Sequence, residues 1–481
     1  MKNDSDNVAL GDSYGAMDGE GFRAAGHALV EWIADYLEHA DRYPVLAQVE
    51  PGDVRDSLTQ SIPEEGESWE RIWDDFEKQV MPGVTHWQSP NFFGYFPANV
   101  SFPSILGELL SAGLGVNGML WSTSPAATEL ETLVLDLLVD AMKLPSCFKG
   151  AGVIQDTASS ASLCAILCAR EQTLGWQGNE SGLSGFENMA VYVSDQVHSS
   201  IEKGAKIAGI GREFVRVIKS DEECAMSVDA LEHAIKNDIA NKIKPTMVSA
   251  TLGTTSSLAV DPLRAIGEIC KKYGMWFHVD GAMAGSALIC PEYQAFSDGL
   301  EYADSYCFNP HKWLLTNFDC DVMYVREPER LVRTLSIMPE YLRAKQADDV
   351  INYRDWHVPL GRRFRALKLW FVLRSYGLSG LRSHIREHIR LAELFADMVK
   401  EDQRFELVSC HFNLVCFRVK GDDALNEAVL HRVNEAGKIF ITHTKIGGRL
   451  VLRFCPAQTN TREKHVRGAW DEIIKQCEVL S

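Results

Sequence analysis

No stretch of this 481-residue chain approaches the 18 consecutive apolar residues that a membrane helix needs. The most apolar stretches, residues 132–142 and 163–169, are short or interrupted by aspartate, so no membrane association is expected. The opening MKNDSDNVALGDSYGAMDGEG is acidic and has no apolar core of the signal-peptide kind; residues 1–20 are expected to be a disordered tail. Positive charge is in deficit: 48 Lys and Arg face 66 Asp and Glu, a net charge of −18, which argues against nucleic acid as the main partner. The twelve cysteines include no C-x-x-C pair, which leaves no signal for a structural metal or a disulfide framework, and a reducing cytoplasm fits best. Internal repeats and low-complexity tracts are also lacking.

What is present is ample material for a core. The chain is 46% hydrophobic, and its length suggests two to four domains. Phe22, Ala25, Leu29, Ile33, Tyr36 and Leu37 recur at helical spacing, and a second helical stretch covers residues 68–80. Residues 21–100 therefore read as a helical layer with little core of its own, which must pack on the rest of the chain or on a second copy. Residues 101–376 alternate strands with helices. Strands are expected at 190–193, 247–251, 275–279, 305–308 and 322–325, and a helix is marked by Asp261 as N-cap, Pro262 at its first position and Gly274 past its end. Alternation of this kind predicts an α/β fold with a mostly parallel central sheet. Residues 377–481 read as a smaller α+β unit, with a helix at 381–400, strands at 414–419 and 450–454, and a helix at 424–436.

In parallel sheets, ligands sit beyond the carboxyl ends of the strands. One expected strand runs into Asp280-Gly281-Ala282, another into Asn309-Pro310-His311-Lys312. A lysine amine and a carboxylate at neighbouring strand ends are what pyridoxal phosphate requires: the amine to form a Schiff base, the carboxylate to keep the pyridine nitrogen protonated as an electron sink. Thr157-Ala158-Ser159 precedes an expected helix and offers a phosphate site at its N-terminus. His198 follows a strand and can stack on a conjugated ring; Gly253-Thr254-Thr255 follows another. Taken singly, each has a plainer reading as a cap, a core histidine or a surface lysine. Their joint occurrence at strand ends makes the plainer readings weak.

Two of these blocks, HVDGAMAGSALICPEY at 278–293 and ADSYCFNPHKWLLTNFDCDVMYV at 303–325, resemble the pyridoxal-dependent aromatic amino acid decarboxylases, which include dopa and tryptophan decarboxylases. So do residues 80–97, 152–163, 194–205, 250–255 and 359–374, and the resemblance runs from about Gly21 to the C-terminus. It implies the type I, aspartate aminotransferase-like fold and a homodimer with its site at the subunit interface. It implies that Lys312 carries the cofactor, Asp280 pairs with the pyridine nitrogen, His198 stacks on the ring and Ala282 packs on its other face. Thr157, Ala158, Ser159 and Asn309 would hold the phosphate, with His311 close by, and Thr255 would stand near the reacting centre. Tyr341, in a stretch that reads as an exposed loop, would deliver the proton to the substrate from the neighbouring subunit.

The reaction implied is decarboxylation of an aromatic L-amino acid to its amine and CO₂. Relatives with Phe at the position of Tyr341, or Asn at that of His198, tend to be aldehyde synthases, and this chain keeps the decarboxylase form at both. The resemblance builds the substrate pocket from Trp87, Tyr95, Phe96, Pro97 and Ala98, with Asn117 and Met119 from the partner. Gly361 matches a position where Gly goes with wide aromatic substrates and Ser with tyrosine or histidine. Ala98, Asn117 and Met119 depart from the usual animal pattern and leave tryptophan, 5-hydroxytryptophan, dopa, tyrosine and phenylalanine open, as well as a non-aromatic substrate.

Overall fold

The computed structural model describes residues 17–337 and 350–480. Its centre is a seven-stranded sheet of β1 (Gly152–Gln155), β2 (Met189–Ser194), β3 (Val215–Ile218), β4 (Lys244–Thr251), β5 (Trp276–Asp280), β6 (Ser305–Phe308) and β7 (Asp321–Val325), in the order β1-β7-β6-β5-β4-β2-β3. The neighbours from β6 to β3 pair in parallel, while β7 runs antiparallel to both β6 and β1. β2, β5, β6 and β7 are buried at every residue, as expected of strands covered on both faces.

The pleat sorts these strands into two cores. Ala190 and Tyr192 join Val248, Phe277, Tyr306 and Tyr324 on one face, under Val134 and Leu138 of the Pro125–Met142 helix. Val191 and Val193 join Met247 and Met323 on the other, under Cys164, Ala165 and Cys168 of the Ala158–Thr173 helix. A second, antiparallel sheet holds β8 (Phe405–His411), β9 (Leu414–Val419), β10 (Thr442–Ile446) and β11 (Arg449–Phe454), in the order β10-β11-β9-β8. The Arg365–Glu401 helix ties the two together. Leu369, Val372, Leu381 and Ile385 pack in the large core, Phe395 and Val399 in the small one, and the helix breaks at Gly377, whose φ of 57° suits glycine.

The Gly19–Glu38 helix starts two residues before its expected beginning, with the Asp18 carboxylate accepting from Gly21 N. Leu37 is its one fully buried residue, so it has little core of its own. The expected tail lies outside the described residues up to residue 16. The helical stretch expected at 68–80 forms as the Trp69–Asp75 helix, continued as a wider turn over Phe76–Val80, and a short helix, Asp53–Ser57, precedes it in what reads as a connection. Asp261 does not cap the next helix, which runs Leu263–Tyr273 with Pro262 as N-cap. Its carboxylate instead accepts from Thr251 N, Thr251 Oγ1 and Met226 N, holding the end of β4.

Candidate active site

The turns after β5 and β6 are stitched together. Asp280 Oδ1 accepts the backbone N–H of Ala282 at 2.9 Å, Gly281 N donates to Cys307 O, and Asn309 N donates to Ala282 O. Lys312 follows in a single helical turn, Pro310–Trp313, with its own N–H on Asn309 O. This lattice fixes where the carboxylate and the amine stand relative to one another.

Both open into a cavity of about 340 Å³. Thr157, Ala158, Ser159, His198, Thr255, Ala282, Asn309 and His311 line it, as do Trp87, Tyr95 and Phe96. Thr157 is the N-cap of the Ala158–Thr173 helix but its side chain makes no capping bond, so this helix start, which lines the space through Thr157, Ala158 and Ser159, has polar groups to offer an anion. Gly253 also lines it at φ +98°, where a Cβ would fall 2.6 Å from that of Ala284. The aromatic wall is layered: Trp87 stacks on Phe92 at 4.6 Å and on Tyr95 at 5.7 Å. A larger cavity of about 440 Å³, lined by His384, His388 and Arg462, contains no strand-end lysine or carboxylate.

The electrostatics suit a lysine that must react. Desolvation lowers the Lys312 pKa, opposed by the negative fields of Asp280 and Asp321. His311 is pushed down to about 3, by burial first and then by the Lys312 cation. Its Nδ1 accepts from Cys320 N at 2.9 Å, so the neutral ring carries its proton on Nε2. His198 is lowered as well, by desolvation first, with Asp280 opposing and Lys312 reinforcing. Its Nδ1 accepts from Ser200 N, which again leaves Nε2 as the donor.

The structure does not bring every expected residue here. Pro97 and Ala98 do not line the cavity, because the chain turns inward after Phe96: Pro97 is buried and Ala98 O accepts from Gln88 and Gln458. Asn117, Met119 and Gly361 also lie outside the single chain's cavity. Asn117 Oδ1 accepts from Arg362 N at 3.0 Å and so pins the loop that carries Gly361. Tyr341 lies outside the described residues.

Thr251, Met283, Phe318 and Arg453 line the cavity too and are not singled out in the sequence. Arg453, in β11, is buried, and desolvation lowers its pKa. It donates to Ser256 O, Thr255 O and Thr442 Oγ1 at 2.9–3.0 Å and lies over the Phe96 ring. Among the described residues it has no carboxylate partner, and two of its five N–H donors are left over. No sequence signal singles it out from any other strand arginine.

These residues fit pyridoxal phosphate: an amine and a carboxylate on adjoining turns, a small residue and an imidazole for the two faces of a ring, and a helix start for a phosphate. The family model described as the pyridoxal-dependent decarboxylase conserved domain matches residues 51–420. Tyrosine decarboxylase 2 of Narcissus pseudonarcissus is 46% identical, over 98% of this chain and 96% of its own. Phenylacetaldehyde synthase of Arabidopsis thaliana is also 46% identical, over 96% and 97%. The crystal structure of Catharanthus roseus tryptophan decarboxylase in complex with L-tryptophan superposes with a TM-score of 0.91 at 41% identity, covering 96% of this chain and 99% of that one.

Proposed function

Because the chain belongs to the pyridoxal-dependent decarboxylase family, we propose that the Lys312 cavity is where it decarboxylates aromatic L-amino acids. The observation that carries this reading is the convergence of Lys312 and Asp280 with the Trp87, Tyr95 and Phe96 wall around one cavity. Bound there, the cofactor supplies a protonated pyridine ring that takes up the electron pair left as CO₂ departs.

The protein's own residues do the rest. Lys312 tethers the cofactor, and Asp280, aimed by the Ala282 N–H, keeps the pyridine nitrogen charged. Thr157, Ala158, Ser159 and Asn309 hold the phosphate, with His311 beside them as a neutral Nε2–H donor. His198 and Ala282 would cover a ring held there, with Thr255 close to it. The spare N–H groups of Arg453 bring the substrate carboxylate into a buried place, while the aromatic wall takes its side chain. A flat ring against Trp87 and Tyr95 suits tryptophan, tyrosine or dopa alike, and relatives named as tyrosine and tryptophan decarboxylases support the first two.

The site is completed by a second copy. Phe102, Leu106, Leu109, Leu110 and Leu114 leave an apolar stripe about half exposed along the Phe102–Leu114 helix, and Leu133 and Leu137 add to it. A homodimer buries such a stripe. It also gives Asn117, Met119, Gly361 and Tyr341 a cavity to serve, that of the partner. In this reading residues 21–100 pack on the partner, 101–376 hold the cofactor and 377–481 form the small domain. The enzyme works in a reducing cytoplasm, in keeping with twelve cysteines that include no C-x-x-C pair.

A second reading, an aldehyde synthase that consumes O₂, is favoured by the Arabidopsis relative and opposed by Tyr341 and His198. One assay separates them: aromatic amino acids with the purified holoenzyme, following amine, CO₂, ammonia and peroxide together. Equal amine and CO₂ without peroxide is the expected result. Aldehyde with ammonia and peroxide establishes the second reading, and no turnover of any aromatic overturns both.

A further inference from the structure

Beneath the lysine lies a buried carboxyl that the proposed reaction does not use. Asp321 is the first residue of β7, is 0% exposed and pairs in register with Gln155 of β1. With the Asn309 amide set so that its nitrogen meets the carboxyl, Asp321 Oδ1 accepts from that nitrogen and the Asn309 oxygen accepts from Lys312 Nζ at 3.3 Å; the opposite setting would put oxygen against oxygen and nitrogen against the amine. Its Oδ2 has no hydrogen-bond partner among the described residues. Burying a charged carboxylate in that position is costly. Desolvation, reinforced by the negative field of Asp280 and opposed by the Lys312 cation, holds the Asp321 pKa well above the usual carboxylate range. With or without its proton, the carboxyl keeps an oxygen that accepts a hydrogen bond.

We propose that Asp321 is a positioning residue for the cofactor lysine: it orients the Asn309 amide, whose oxygen then fixes the Lys312 amine. An amide that turns freely could present either its oxygen or its nitrogen to the lysine. With its nitrogen taken by Asp321, it presents the oxygen alone, and the amine has one place to stand. The inference rests on Lys312 being the lysine that holds the cofactor, as proposed above.

Asp321→Leu removes the acceptor at similar volume, and Asp321→Asn keeps an acceptor oxygen without a titrating proton. In the holoenzyme, Asp321→Leu is expected to lose cofactor about tenfold faster on dilution and to change the visible circular dichroism of the bound cofactor; Asp321→Asn is expected to restore both to within about twofold (of the order of one lost hydrogen bond). In an Asn309→Ala background, Asp321→Leu is expected to add nothing, because the link is already cut. Asp321→Ala serves if the leucine variant does not fold, and near-UV circular dichroism of each variant establishes native packing. A folded Asp321→Leu with unchanged visible spectrum and cofactor retention overturns the proposal. So does an Asn variant as impaired as the Leu variant, or full additivity with Asn309→Ala. Borohydride reduction of the wild-type holoenzyme with peptide mapping tests the premise separately: label on a peptide without Lys312 overturns the site itself, whereas label on Lys312 with an unaffected Asp321→Leu overturns the role of Asp321 alone.

Discussion

Arg453 Nη2 donates to the backbone oxygen of Thr255 at 2.9 Å, so the last strand of the small sheet grips the loop that follows β4 of the large one. The guanidinium has a mechanical task through three neutral acceptors, and in the proposed function an electrostatic one through the N–H groups left over.

Arg453→Gln is expected to lower kcat/KM for aromatic amino acids by about 10- to 100-fold, mostly through KM, the scale of one charge-assisted hydrogen bond. Arg453→Lys keeps the charge but not the fork, and should recover only part of it. Steady-state kinetics decide; an unchanged KM in the glutamine variant would remove Arg453 from substrate binding.

Asp280→Asn retains an oxygen for the Ala282 N–H and should leave thermal stability near that of the wild type. It cannot hold a positive charge on the pyridine nitrogen. The expected fall in kcat is about 10²- to 10³-fold, comparable with losing one preorganised electrostatic contact in a catalytic site. Normal turnover by the asparagine variant would show that another group fills this role.

Acid should destabilise the fold well before the ordinary carboxylate range. His311 and His357 are held down to about 3, His278, His388 and His465 to about 4, and His384 well below its ordinary value, in each case by burial first. The unfolded chain takes up protons below about 6.5 at these six positions while the native protein does not, so their contribution is present above 6.5 and declines as pH falls towards 3–4. Asp261, raised to about 6, and Asp304 and Asp321, also raised, have the opposite sign but are fewer. Urea midpoints should fall from pH 6.5 to pH 4.5, as the unfolding free energy drops by up to about 1.4 kcal/mol per pH unit for each net proton. A flat profile over that range would contradict the burial of these rings.

Gly361 stands beside open space. A Cβ there meets nothing nearer than Asn117 Nδ2, at 3.8 Å. Gly361→Ser should thus fold normally, with a melting temperature within about 2 °C of the wild type, as expected for a substitution without strain or lost packing. It should move the ratio of tyrosine to tryptophan kcat/KM by about tenfold, the scale of a single pocket contact. Equal ratios in both proteins would mean that this loop does not reach a substrate.

Much of this was legible in the chain because a strand end has a local signature. A run of buried residues stops, small residues follow, and Asp280 or Lys312 stands at the stop. Arg453 has no such signature. It sits within the run RLVLRF, where it reads as one more residue on a strand's outer face until the small sheet is packed against residues 255–256. Asp261 misled for the opposite reason: its local context is a good helix start, but tertiary structure takes its carboxylate to close β4. β3 escaped because it lies at the sheet edge, where Arg216 pairs with Asp238 and the burial pattern is broken. Asn117 gave no hint of its partner, Arg362, because nothing local ties two loops so distant in the chain.

The reversed direction of β7 has a practical meaning for reading such chains. Six strands arrive at the reactive edge of the sheet, but β7 departs from it. What counts there is not what comes after the strand but what comes before it and at its first position. Phe318, His311's neighbour and a lining residue, lies just upstream, and Asp321 is the first residue itself. A scan for function that looks only downstream of each strand is blind to one strand in seven here, and run in mirror image on that one strand it would have found both.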